Sequence, residues 1–73
     1  MKALTKKQKE ILFYIYNFIK TNNYSPSFRN ISDKFFMTVK GAVDHVKNIE
    51  KKGYLKHEAG IARSFQIIIM PED

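Results

Sequence analysis

The run from Thr38 to Gly53 constrains this chain more than any other. Thr38 carries a hydroxyl suited to accept a free amide of a first helical turn. Gly53 can adopt the left-handed conformation that ends a helix. Between them, at about 100° per residue, Val39, Ala42, Val46 and Ile49 fall on one side, and Lys40, Asp44, Lys47, Asn48 and Lys51 on the other. The segment therefore reads as an amphipathic helix with a core seam and a polar, cationic face. An ordinary solvated helix looks like this, and so does a helix that lies in a DNA groove. The flanking segments have to separate the two.

Upstream, Thr5 and Gln8 have the spacing of a capping box. Ile11, Leu12, Ile15, Phe18 and Ile19 then recur at three and four, which predicts a first helix to about Thr21. Asn22-Asn23 can end it through a left-handed residue, and Tyr24-Ser25-Pro26 keeps the chain extended. Ser27 caps a short second helix with Phe28, Ile31 and Phe35 inward and Arg29, Asn30, Asp33 and Lys34 outward. Phe36-Met37 is the hinge to the helix capped by Thr38. Two capped helices joined by a tight turn make a helix-turn-helix. After Gly53 the period changes to that of strands: Tyr54–Glu58, a reversal at Ala59–Ala62, and Arg63–Ile69, ending before Pro71. Phe65, Ile67 and Ile69 alternate and are expected to lie over the helices. The predicted fold is mainly α with a small β-hairpin: a winged helix-turn-helix, three helices followed by a two-stranded wing, in one domain over residues 1–73.

Composition narrows the partner. Thirteen basic against seven acidic side chains give a net charge of +6, which favours a polyanion over a neutral surface. A chain this short buries only about 60 % of its unfolded surface, so each apolar stripe matters. There is no cysteine, which removes disulfides and thiolate metal sites and agrees with a reducing cytoplasm. No apolar run approaches the roughly 18 residues of a membrane span. Met1-Lys2-Ala3-Leu4 leads straight into charged residues rather than into a secretory signal.

The segments Met1–Thr5 with Gln8 and Ile11, Tyr24–Ser27, Ile31, Ala42, His45-Val46, Lys51–Tyr54 and the Gly60 to Arg63 tip resemble the N-terminal DNA-binding domain of the LexA family, bacterial repressors of the SOS response to DNA damage. The likeness runs nearly end to end. It implies a winged helix whose third helix reads the major groove of a palindromic operator in double-stranded DNA. Carried over by position, the base-reading residues are Thr38, Lys40, Gly41, Val43 and Asp44. The backbone contacts fall on Lys7, Ser27, Arg29, Lys47, Lys51 and Lys52, and the wing on Gly60 and Arg63. Such a protein is cytoplasmic and sits on the nucleoid when bound. Family repressors continue into a self-cleaving, dimerising domain; a chain ending at Asp73 is expected to be mostly monomeric, and a homodimer on DNA where that domain follows.

Departures from the family pattern are Lys40, where an uncharged amide is familiar, and Val43, where a carboxylate is. With Gly41 they imply a different or looser operator preference. Ala59-Gly60 matches the family's scissile pair in type but reads as turn chemistry at the hairpin tip. His45 and His57 read as separate surface histidines, and the serines have no base in a recognisable arrangement. No enzyme activity, metal or cofactor is expected. A rival from another class is a protein-interaction winged helix that docks a partner through Phe13 and Tyr16, with the basic face only solubilising.

Overall fold

Each helix begins where a side chain closes its first turn. A computed structural model describes residues 3–71; Met1 and Lys2, which head the resembling stretch, lie outside the described residues. Helix α1 spans Lys6–Asn22, α2 Phe28–Lys34 and α3 Val39–Lys51, followed by strands β1 (Leu55–Lys56) and β2 (Gln66–Ile67). Thr5 Oγ1 accepts the Gln8 amide at 3.1 Å while Gln8 Oε1 accepts the Thr5 amide at 3.0 Å, the reciprocal box anticipated there. Ser27 and Asn30 repeat it at α2, and Thr38 caps α3 by accepting the Gly41 amide at 3.0 Å.

The helix ends are equally local. Asn23 turns left-handed (φ 63°) and donates its amide to Ile19 O. At the end of α3, Gly53 (φ 92°) donates to Glu50 O and Tyr54 to Ile49 O, a Schellman arrangement with glycine at the left-handed position. The end of α2 has the same long bond, Met37 N–H to Ser32 O at 3.0 Å, but the left-handed residue is Phe36 (φ 55°), 97 % exposed. A helix-turn-helix turn often carries glycine here; this one carries a large aromatic with almost no packing.

The core joins Ile11, Leu12 and Ile15 of α1, Ile31 of α2, Ala42, Val46 and Ile49 of α3, and Leu55 and Phe65 of the hairpin. Full burial of one such aliphatic side chain contributes about 1.5–3 kcal/mol. This packing holds α2, which is too short to persist alone. Phe28 and Phe35 cover the core edge from α2, as their spacing predicts.

Three expectations need correction. Val39 is 42 % exposed rather than part of the seam: it is the first residue of α3, and the buried residues of that helix begin at Ala42. The strands are two residues each, paired antiparallel as Leu55 with Ile67 and Lys56 with Gln66. The return strand cannot begin at Arg63, whose backbone is left-handed (φ 55°). It does not continue to Ile69, because the amides of Ile68 and Ile69 both converge on Tyr54 O. Two donors on one carbonyl break the alternation, and Ile69 emerges 44 % exposed. The reversal is as read: Ile61 N–H bonds Glu58 O at 3.1 Å, with Gly60 at φ 81°.

Candidate nucleic-acid interface

Helix α3 is fixed by its core seam, and the hairpin leaves the opposite face open. Thr38, Lys40, Asp44, Lys47, Asn48 and Lys51 are all exposed. Lys40 Nζ lies 3.6 Å from Asp44 Oδ2, with the two side chains 85 % and 58 % exposed. A lysine–aspartate pair one turn apart in water is worth at most about 1 kcal/mol, so it opens at little cost. Lys40 also stands in the first turn of α3, where a cation opposes the helix dipole, and no acidic residue offsets it there. Its position is not explained by helix stability. Gly41 and Val43 are half-buried. A Cβ on Gly41 would meet Thr38 Oγ1 at 3.3 Å, so the glycine leaves room for the cap.

The flanking cations divide into two kinds. Arg29, Lys47 and Lys51 are exposed. Lys7 is exposed too, 3.4 Å from Glu10 and over the Phe35 ring at 5.3 Å. Lys52 is engaged within the protein: its ammonium donates to Gln8 Oε1 at 2.6 Å and to Ala3 O at 3.0 Å. Ser27 donates its hydroxyl to Asn30 Oδ1 at 3.0 Å at the cap of α2. Beside this helix, burial pushes the Tyr14 phenol above its ordinary value, opposed by Arg63 and aided by Asp33. Tyr14 is thus a neutral ring, edge-on to Phe18 and Phe35.

Side chains, more than ladder bonds, shape the wing. Glu50 Oε2, from α3, accepts both the backbone amide of His57 at 3.0 Å and its Nδ1 at 2.9 Å. His57 is therefore not the isolated surface histidine expected: its ring also meets Phe28 and Phe65. Ser64 Oγ accepts the Glu58 amide at 2.9 Å and approaches Ile61 O at 2.9 Å, closing the tip around exposed Gly60. Arg63 folds back: Nη1 donates to Ser25 O and to Asn30 Oδ1, each at 3.2 Å, and the guanidinium covers the Tyr24 ring at 5.2 Å. Ser25, Glu50 and His57 were not marked by any sequence signal for this role, since their partners lie on other elements.

A helix-turn-helix with an open cationic face, followed by a pinned hairpin, defines a winged-helix domain. The family model described as LexA DNA binding domain matches residues 1–64, and the chain belongs to that family. It is 47 % identical over 68 residues to the LexA repressor of Leptospira interrogans, covering 93 % of this chain and 34 % of that protein. The LexA repressors of Thermosipho africanus and Thermotoga maritima are 43 % and 42 % identical, over 99 % and 92 % of this chain and 36 % and 34 % of their own length. The chain thus spans about a third of the curated relatives it matches. No helix among the described residues is long and apolar enough to cross a membrane.

Proposed function

We propose that this domain binds double-stranded DNA sequence-specifically, as the operator-binding part of a LexA-type transcriptional repressor. The observation that carries the reading is the exposed face of Lys40, Asp44, Lys47 and Lys51 on the third helix of a domain of this family. In the proposed complex α3 lies in the major groove. Lys40 donates to guanine O6 and N7, and Asp44 accepts from cytosine N4, each good pair discriminating by about 1–3 kcal/mol. Thr38, Gly41 and Val43 line the approach of the helix start to the bases. Lys7, Ser27, Arg29, Lys47 and Lys51 meet phosphates, with the tip around Gly60 beside the neighbouring minor groove. Lys52 is placed with the backbone contacts by resemblance, but its bonds to Gln8 and Ala3 favour a role inside the fold.

The full site is a palindrome occupied by two copies. A single domain of this kind binds one half-site and does so weakly, because it lacks the second copy's contribution to effective concentration. In the cell such a repressor controls genes of the DNA-damage response. The test is fluorescence anisotropy of labelled duplex across a salt series, using sites selected from a random duplex library. Binding with a preferred half-site is expected. No signal change at low salt favours instead a protein partner on Phe13 and Tyr16. A salt-dependent signal without site preference means sequence-neutral coating.

A further inference from the structure

We infer that Arg63 is a positioning residue that sets the wing against the body of the domain, and that it does not contact DNA. The inference rests on the DNA-binding reading above and departs from it at one residue. An arginine near a hairpin tip is ordinarily the first candidate for a narrow minor groove, and Arg63 is placed for that by sequence. Its guanidinium is instead engaged on three sides by the α1–α2 connection and the cap of α2: Ser25 O, Asn30 Oδ1 and the face of Tyr24. The backbone is left-handed at Arg63, and this is where the chain leaves the tip and turns back toward the body.

The neighbouring bonds belong to the same joint. Phe65, two residues on, donates its amide to Ser25 Oγ at 3.1 Å in a buried contact. Ser25 therefore holds the return limb through both its carbonyl and its hydroxyl. Asn30 Oδ1 accepts from Arg63 while also accepting the Ser27 amide at 2.9 Å, so the cap of α2 and the wing share one acceptor. On the outgoing limb, Glu50 grips His57. A sheet of two residue pairs cannot hold a hairpin rigid; these two clamps can. Arg suits the inner one because Nη1 donates to both oxygens while the flat guanidinium stays stacked over the Tyr24 ring, a planar contact that a compact ammonium does not reproduce. Arg63 is exposed as a residue, but its guanidinium is turned to the body, and the wing then meets DNA with the uncharged tip residues Ala59, Gly60, Ile61 and Ala62, which are exposed too.

Salt dependence separates a strut from a phosphate contact. The purified chain is titrated with its selected duplex from low to moderate salt, as wild type, Arg63→Ala, Arg63→Lys, Tyr24→Ala and the Tyr24→Ala, Arg63→Ala double variant, with thermal unfolding followed for each. A strut predicts that Arg63→Ala loses roughly three- to tenfold in affinity, the scale of ordering a few side chains at an interface, with the slope of log K against log salt unchanged. Arg63→Lys is not rescued, and Tyr24→Ala loses part of the same factor, non-additively with Arg63→Ala. A slope shallower by about one in Arg63→Ala, or full affinity in Arg63→Lys, overturns the inference by making Arg63 a charge contact. Unchanged affinity in Arg63→Ala overturns it as well. Should Arg63→Ala fail to fold, Arg63→Lys and Tyr24→Ala carry the test. Wild-type protein that binds no duplex removes the DNA-binding reading itself, a result distinct from any of these.

Discussion

Lys52 donates its ammonium to Gln8 Oε1 at 2.6 Å, fastening the end of α3 to the capping box that starts α1. Its neighbour Lys51 is exposed on the open side of the same helix. Of two adjacent lysines, one is therefore engaged inside the fold and the other is open to solvent. Lys52→Ala should lower stability by about 1–2 kcal/mol, a hydrogen bond to a charged group reduced by partial exposure to water, and leave the salt slope of DNA binding unchanged. Lys51→Ala should leave unfolding unchanged, weaken all duplexes alike and flatten the slope by about one. Denaturant unfolding and salt-series anisotropy of both variants check the pair.

Phe36 occupies a left-handed helix end that glycine fills at the corresponding point of α3. A left-handed backbone costs an L-residue about 1–2 kcal/mol, and glycine returns part of that as unfolded-chain entropy. Phe36→Gly should therefore stabilise the domain by about 0.5–1 kcal/mol, since the ring it removes is almost wholly in water. Gly53→Ala should destabilise by a similar amount for the converse reason. Urea midpoints measure both.

Ser25 Oγ receives the buried Phe65 amide. Ser25→Ala leaves that donor without its partner, at a cost of about 1–3 kcal/mol. Amide hydrogen exchange should show the loss first at Phe65 and Gln66, ahead of global unfolding.

These residues also show what the sequence made legible. The starts of all three helices were readable because a cap is chemistry between residues three apart: Thr5 with Gln8, Ser27 with Asn30, Thr38 with Gly41. The open face of α3 was readable because its period is local too. The joints were not. Lys52 meets Gln8, Arg63 meets Ser25 and Glu50 meets His57 only after the chain has folded, and no spacing along the chain announces them. The strand limits failed for a related reason. Arg63 and Ile69 bound a run rich in β-formers, yet the first is turned left-handed and the second shares a carbonyl with Ile68.

Lys40 and Asp44 pair across one turn on the open face. If they divide the reading of bases, Lys40→Ala should relax preference at one position of the half-site and Asp44→Ala at another, each by about 1–3 kcal/mol. Affinity for unrelated duplex should change little in Asp44→Ala. Selection from a random library with each variant reads the two positions separately.

The most direct test of the central claim is a titration of labelled duplex with the wild-type chain across a salt series. Neutralisation of roughly four phosphates, by Lys7, Arg29, Lys47 and Lys51, predicts that log K falls against log salt with a slope of about −3.6, and that a selected half-site outcompetes a scrambled one. An anisotropy that stays flat at the lowest salt for every duplex offered would contradict the claim that the cationic side of α3 is a DNA-binding surface.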